Sequence, residues 1–236
     1  TLSIPEILRV LRMLETTSSI KAYYNENEVK ETSFENLFIN LTTLIDLQNE
    51  IRRCIISEDE IADDASPRLK SIRRSMMIAQ DRIHTQLSSM LNGSYRTYLQ
   101  DAVITQRDGR YCIPVKAEYK SSVKGMVHDQ SSTGSTFFIE PEAIVNLNNE
   151  IRELQVKEKE EIAVILSILS SMCASSVDEI SNNMKIMTHL DFVFAKASLA
   201  LDMNATRPML NEEKRIRIRK RKRVCVRDCS QPLLRA

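Results

Sequence analysis

The 236-residue sequence has no tryptophan, only four glycines, and no apolar run near the roughly 20 residues that a membrane-spanning helix needs. Scarce glycine is typical of a chain dominated by long helices. The five cysteines are odd in number and scattered, and no signal peptide precedes them, which argues against a secreted disulfide framework. These absences predict a soluble cytoplasmic protein with free thiols and no membrane partner.

Three of the four glycines lie in one segment, Asp101 to Pro141, whose composition differs from the rest of the chain. Short β-favouring runs recur along it, at 103–105, 111–113, 126–128 and 135–139. Asp108-Gly109 separates the first two runs, and an Asp-Gly pair supplies the positive φ angles of a tight hairpin turn. The segment therefore predicts a small antiparallel β element in a chain that is otherwise helical.

Heptad-like apolar stripes lie on both sides of this β segment. Before it, Ser66-Pro67 provides a cap and a first-turn proline for one long helix that could extend to Tyr98. Apolar residues then follow at steps of three and four: Leu69, Ile72, Met76, Ala79, Ile83, Leu87 and Met90. The matching stripe after the β segment comprises Leu147, Ile151, Leu154, Ile162, Ile165, Leu169 and Met172. Two long antiparallel helices joined through a β element are predicted.

The predicted fold class is mainly α: a helical bundle base, and two long antiparallel helices that carry the small antiparallel β element. One helix from about Pro5 to Tyr24 and a second through Leu37 to Ile51 are expected in the base, because cap residues precede apolar spacing in both. The predicted division is a helical core (1–66), the first long helix (67–101), the β tip (102–140), the second long helix with its return to the core (141–206), and a basic segment (207–236).

The formal net charge of +1 conceals a basic C-terminal segment, because residues 211–236 carry ten Lys and Arg against three Asp and Glu. Apolar residues alternate with the basic ones at Ile216, Ile218, Val224 and Val226. This alternation predicts a strand with one buried side, although the basic residues could equally bind phosphates.

No catalytic or nucleotide-binding motif is complete. A P-loop requires G-x-x-x-x-G-K-[ST], and no pair of these glycines has that spacing before a lysine. His128-Asp129 followed by Ser131 has the residue types of a hydrolase triad, but a nucleophile elbow and a separated base are missing. Cys225 and Cys229 lack the further ligands of a metal site. We therefore predict no catalytic residue, no metal and no cofactor in this chain.

Basic residues cluster on the predicted β tip with tyrosines between them. The candidate nucleic-acid-binding residues are Arg107, Arg110, Lys116, Tyr119, Lys120, Lys124 and His128, with Tyr111 as a further aromatic. Lysine and arginine neutralise phosphates, and an aromatic ring can stack on an exposed base. A solvated strand face is the alternative interpretation.

Four segments together resemble one protein family: RDGRYCIPVKAEYK, GMVHDQSSTGSTFFIEP, LNNEIRELQVKEKEEI and HLDFVFAKASLAL. They are similar to the core, lever and clamp region of the second type of bacterial MutS-like protein, which bears an Smr domain. The resemblance implies a cytosolic bacterial ATPase, a homodimer acting on branched DNA or on the rRNA of stalled ribosomes. It also implies that ATP and Mg bind in a domain that begins near the end of this chain, with an Smr nuclease domain further on.

Two functional hypotheses follow. In the first, the chain is a non-catalytic module whose long helices couple ATP state in an attached domain to a tip that holds DNA or rRNA. In the second, it dimerises or binds another protein through its coiled-coil stripe without touching nucleic acid. Salt dependence separates the two, because phosphate binding weakens steeply with added salt and an apolar helix interface does not.

Overall fold

The computed structural model describes residues 1–26, 34–93, 95–205, 209–210 and 216–217. Their α-helices are α1 (Ile4–Glu26), α2 (Glu35–Ile39), α3 (Ile45–Cys54), α4 (Pro67–Asn92), α5 (Val145–Ser175) and α6 (Val177–Asp202). Their strands are β1 (Ile55–Ser57), β2 (Glu60–Ile61), β3 (Thr105–Arg107), β4 (Arg110–Lys116), β5 (Gly125–Gln130), β6 (Thr136–Pro141), β7 (Met209–Leu210) and β8 (Ile216–Arg217). The predicted fold class, mainly α with a small antiparallel β element, is confirmed.

The chain forms two compact units. The first comprises Thr1–Leu11 and Asp46–Ala174, and the second comprises the described residues of Arg12–Ile45 and Ser175–Ala236. The long helices α4 and α5 and the whole of the β tip belong to the first unit. The candidate site therefore lies within one compact body.

Helices α4 and α5 run antiparallel within the first unit, and polar contacts join them. Arg73 Nε donates to Glu158 Oε1 at 2.7 Å, and Ser66 Oγ donates to Glu161 Oε1 at 2.8 Å. Ser66 Oγ also accepts from the N–H of Leu69, so the predicted N-cap of α4 is confirmed. Both contacts with α5 tie the beginning of α4 to the middle of α5, which fixes the register of the pair.

Helix α4 ends at Asn92, six residues before Tyr98. Gly93, which donates its N–H to the carbonyl of Met90, follows the helix with a φ of −102° and a ψ of −141°. Those angles are not helical, so the chain leaves α4 here. A 3-10 turn at Arg96–Tyr98 follows and leads into the β tip.

The β tip is a four-stranded antiparallel sheet in the order β3-β4-β6-β5. Asp108 and Gly109 have φ angles of 51° and 74° and connect β3 to β4, which confirms the predicted hairpin turn. One face of the sheet packs on the second half of α4, so the sheet lies along that part of the helix. The buried core between them comprises Ala79, Ile83, Leu87, Leu91, Leu99, Tyr111, Ile113, Val115, Val123, Ile139, Ile144 and Ile151.

The structure corrects the prediction of one continuous helix through Leu37 to Ile51. Helix α2 ends at Ile39, and α3 begins at Ile45. Between them the N–H of Thr42 donates to Asn183 Oδ1 at 2.9 Å, and Asn183 Nδ2 donates to the Thr42 carbonyl at 2.8 Å. The buried amide of Asn183, from α6, takes both backbone groups of Thr42 and so replaces their helical partners.

Two further segments can be compared with the predictions made from the sequence. The acidic stretch after α3 forms the β1–β2 hairpin, which the sequence did not predict. Ile216 lies in β8, which pairs with β7. Ile218, Val224 and Val226 of the predicted C-terminal strand, and Cys225 and Cys229, lie outside the described residues. The three described cysteines, Cys54, Cys112 and Cys173, are free thiols, as predicted.

No single helix among the described residues is both long enough and apolar enough to cross a membrane. Among the described helices, only α5 and α6 taken together, across the break at Ser176, have the length and composition of a membrane-spanning segment.

Candidate nucleic-acid interface

The sheet has an inner face on α4 and an outer face that carries Arg107, Arg110 and Lys116. Tyr119 and Lys120 lie in the 3-10 turn Ala117–Ser122, and Lys124 lies just before β5. Strand alternation and the pairings Pro114 with Phe138 and Lys116 with Thr136 place these four residues on the outer face. The inner face is apolar and closed by the core described above. Any ligand of the sheet must therefore approach its outer face or its edges.

Arg107 lies over an aromatic ring on this outer face. Its Cζ is 3.8 Å from the centroid of the Phe138 ring, and its Nε is 3.0 Å from Asp129 Oδ2. Its Nη1 donates to the Gln106 carbonyl at 2.8 Å. The guanidinium is therefore held in one orientation by an aromatic face and a carboxylate, with part of its donor edge still open.

Arg110 and His128 meet on a buried carboxylate. Arg110 donates from Nε and Nη2 to the two oxygens of Glu140, both at 2.7 Å, and from Nη2 to Asn149 Oδ1 at 2.8 Å. His128 Nε2 lies 2.5 Å from Glu140 Oε2. Asn148 Nδ2 donates to Glu140 Oε1 at 2.8 Å. Both candidate side chains thus have an internal partner, and their polar ends are largely withdrawn from solvent.

The carboxylate of Glu140 is fully buried and ionised. Burial raises its pKa, but hydrogen bonds from Arg110, Asn148 and His128 outweigh burial, so the net pKa of Glu140 is lowered. The bond to Glu140 likewise raises the pKa of Arg110. Burial, followed by the charge of Glu140, raises the pKa of the neighbouring Cys112 thiol to about 11. The cluster is a structural ion pair with its hydrogen-bond partners satisfied.

Asn148 extends this cluster into the backbone of the sheet. Its Oδ1 accepts from the N–H of Tyr111 at 3.0 Å, and its Nδ2 donates to the Tyr111 carbonyl at 3.2 Å. Asn148 lies in the first turn of α5, so this one side chain joins the helix to the beginning of β4. The sheet is therefore fixed to α5 by polar contacts and to α4 by apolar ones.

The remaining candidates fall into an exposed group and an internally packed group. Lys124 and Lys120 are exposed, and Lys116 is half-buried on the outer face. Lys116 and Lys124 form no ion pair within the described part of the chain. Lys120 Nζ lies 4.3 Å from the centroid of the Phe137 ring. Tyr119 packs on Tyr98 with ring centroids 5.0 Å apart.

Sequence reasoning missed Glu140 and Asn148. The strand pattern contained a signal, since Glu140 sits between Ile139 and Pro141 at the end of an otherwise apolar strand. A carboxylate in such a place needs a cation, and the candidate list already contained Arg110. No local signal marked Asn148, whose partner lies 37 residues away.

The pair His128-Asp129 is divided between two different partners. His128 faces Glu140, whereas Asp129 pairs with Arg107. Ser131 Oγ accepts from the N–H of Thr136 at 3.1 Å and so serves the turn between β5 and β6. Among the described residues no group of three or more His, Cys, Asp or Glu could hold a metal ion. The contacts of His128, Asp129 and Ser131 are those of a polar turn network in the β tip.

Comparison with known proteins gives consistent matches over nearly the whole chain. The chain is 53% identical over 220 residues to the Endonuclease MutS2 of Lachnospira eligens and 52% identical over 223 residues to that of Agathobacter rectalis. Each match covers 93% of this chain and 28% of the relative. The Endonuclease MutS2 of Clostridium botulinum is 46% identical over 215 residues, which is 90% of this chain and 27% of that protein. The chain thus spans little more than a quarter of the length of these relatives. No protein-family model matches it.

Proposed function

Because this chain belongs to the MutS2 family over the segment that it spans, we propose that it is the non-catalytic part of such a protein that holds nucleic acid at its β tip. The intact protein is then an ATPase and endonuclease, a cytoplasmic homodimer whose ATP and Mg bind outside this segment. The long helices α4 and α5 couple the nucleotide state of that distant domain to the tip.

The exposed cations of the tip are the observation that carries this proposal. Between residues 107 and 124 the chain has five Lys and Arg and only two Asp and Glu. Arg110 is occupied by Glu140, which leaves Arg107, Lys116, Lys120 and Lys124 to face outward. Such a group suits the evenly spaced phosphates of a nucleic-acid backbone.

The second argument for the proposal is that α4 and α5 both support the sheet. A surface that transmits movement must be rigidly joined to the helices that move it. The inner face is anchored on α4 through Ile83 and Leu87, and the Glu140 cluster is anchored on α5 through Asn148. Both long helices therefore hold the same sheet, which supports the proposed coupling role.

Salt-dependent binding tests the proposal. Fluorescence anisotropy with labelled duplex DNA, four-way-junction DNA and an rRNA hairpin, and pelleting with ribosomes, should compare the native chain with a Lys116→Gln, Lys124→Gln variant. Each lost phosphate contact lowers the slope of log affinity against log salt by about 0.9 on duplex DNA. We expect a reduction for each ligand that the tip holds.

The matched control is a Lys157→Gln, Lys159→Gln variant. These two lysines are exposed on α5, so the change in net charge is the same and the tip is untouched. Equal binding by the two double variants, both folded, would contradict the proposal. The relative loss on DNA and on ribosomes also identifies the partner that depends most on the tip.

A second candidate function rests on the exposed apolar residues of α6. Met184, Phe192, Phe194, Leu199 and Leu201 are all exposed in the second unit. A helix with apolar residues on several sides normally packs against another surface. In this alternative the chain dimerises or binds a protein through α6, and binding persists at high salt and is insensitive to substitution of Lys116 and Lys124.

A further inference from the structure

We propose that Asp129 competes with nucleic-acid phosphate for Arg107 and thereby limits the affinity of the tip. The proposal rests on the proposed function, since it concerns the same outer face. It assigns opposite roles to two neighbouring side chains: Arg107 is a phosphate ligand held ready, and Asp129 is the resident anion that a phosphate must displace.

The guanidinium of Arg107 is already positioned to bind an anion in the free protein. The contact with Phe138 places the guanidinium over that ring, and the hydrogen bond from Nη1 to the Gln106 carbonyl restrains its rotation. Within the described residues no acceptor contacts Nη2, so that donor and the second hydrogen of Nη1 remain for a phosphate oxygen. A guanidinium oriented in advance loses little conformational freedom when it binds.

Asp129 lies beside the Arg107 guanidinium and leaves part of it accessible to another anion. Its Oδ2 is 3.0 Å from Arg107 Nε, and its Oδ1 accepts from the N–H of Gln130 at 2.8 Å. Both side chains of the pair are partly exposed, so the pair is weak and can be exchanged for another anion. Asp129 therefore neutralises Arg107 in the free protein and repels an approaching phosphate.

The stacking also indicates what the tip recognises. The Phe138 ring carries Arg107, the Phe137 ring carries Lys120, and Tyr119 is packed on Tyr98. Arg107 covers one face of the Phe138 ring, and the Phe137 and Tyr119 rings pack against the buried core of the sheet, so these rings offer little surface for base stacking. The outer face is a backbone reader, and its affinity depends on the balance between its cations and Asp129.

The chain offers an isosteric variant and a matched control. Asp129→Asn removes the charge but keeps the Oδ1 acceptor for Gln130. Asp108→Asn makes the same change of net charge next to Arg107, at an exposed turn position with a φ of 51° that asparagine tolerates. At low salt we expect Asp129→Asn to bind duplex DNA about three- to fivefold more tightly than the native chain, and Asp108→Asn to gain clearly less.

The double variant Arg107→Gln, Asp129→Asn decides whether the gain acts through Arg107. We expect the gain to vanish in that background, with thermal melting confirming that each variant is folded. An equal gain in Asp108→Asn, or a gain that survives Arg107→Gln, would overturn the proposal while leaving the lysine contacts intact. If neither Arg107→Gln nor the Lys116, Lys124 variant weakens binding, the proposed function fails and this inference fails with it.

Discussion

At the scale of single residues, the tip depends on one buried carboxylate. Glu140 has no exposed side-chain surface, and an uncompensated charge in such a place would be very costly. Three different side chains donate to it or lie within hydrogen-bond distance: Arg110, His128 and Asn148. The same contacts that ionise Glu140 also withdraw Arg110 and His128 from solvent, so the cations available to a ligand are fewer than the sequence suggests.

Glu140→Gln should destabilise the chain by about 2–4 kcal/mol, because it leaves the charge of Arg110 without its partner in a largely buried site. The matched control is Glu142→Gln, an exposed carboxylate two residues further along, which should change the free energy of unfolding by less than about 0.5 kcal/mol. Urea denaturation followed by circular dichroism measures both. Equal effects of the two variants would contradict the structural role of Glu140.

The same residue predicts a dependence of stability on pH. The pKa of Glu140 is lower in the folded chain than in the unfolded chain, so its contribution is complete above its unfolded pKa, about 4.5. That contribution is lost as the pH falls through the folded pKa. We expect the native chain to lose more stability than Glu140→Gln between pH 5 and pH 3, as measured by urea midpoints. Parallel curves would show that Glu140 does not titrate in this way.

At the scale of elements, local sequence rules predicted the parts whose determinants are neighbours in the chain. Ser66-Pro67 begins α4, and Asp108-Gly109 turns between β3 and β4, because each signal and its effect lie within a few residues. The break between α2 and α3 depends on Asn183, which is 141 residues from Thr42. The Glu140 cluster likewise joins β4, β5, β6 and α5. The spacing of apolar residues gives no information about such distant polar partners, so these two features could be identified only from the structure.

Helix α4 gives a matched pair of isoleucines that tests its predicted inner face. Ile83 is fully buried against the sheet, whereas Ile78 on the same helix is 44% exposed. Ile83→Ala should cost about 2–5 kcal/mol in the free energy of unfolding, because it removes buried surface and leaves a cavity under the tip. Ile78→Ala should cost clearly less in the same urea titration. A smaller loss for Ile83 than for Ile78 would contradict the packing of the sheet on α4.

At the scale of the whole molecule, the two long helices of the first unit support the β tip. By the 1.5 Å rise per residue, α4 and α5 are about 39 and 46 Å long, which is the span of a small domain. Two surface depressions of the described residues, of about 440 and 350 Å³, are each lined by side chains of a single helix, α6 or α4. Convergent polar groups from several elements, as in an enzyme pocket, are not found in either depression.

We expect this chain alone neither to hydrolyse ATP nor to cleave nucleic acid. Its glycines, at 93, 109, 125 and 134, cannot form a phosphate-binding loop of the P-loop spacing, and His128 is committed to Glu140. Phosphate release from ATP, and gel assays with linear and branched DNA in the presence of Mg, measure the two activities. The control is a His128→Ala variant purified in parallel, because a contaminating enzyme would act equally in both preparations. Turnover that follows the purified chain and disappears in His128→Ala would contradict the assignment of His128 to a structural cluster.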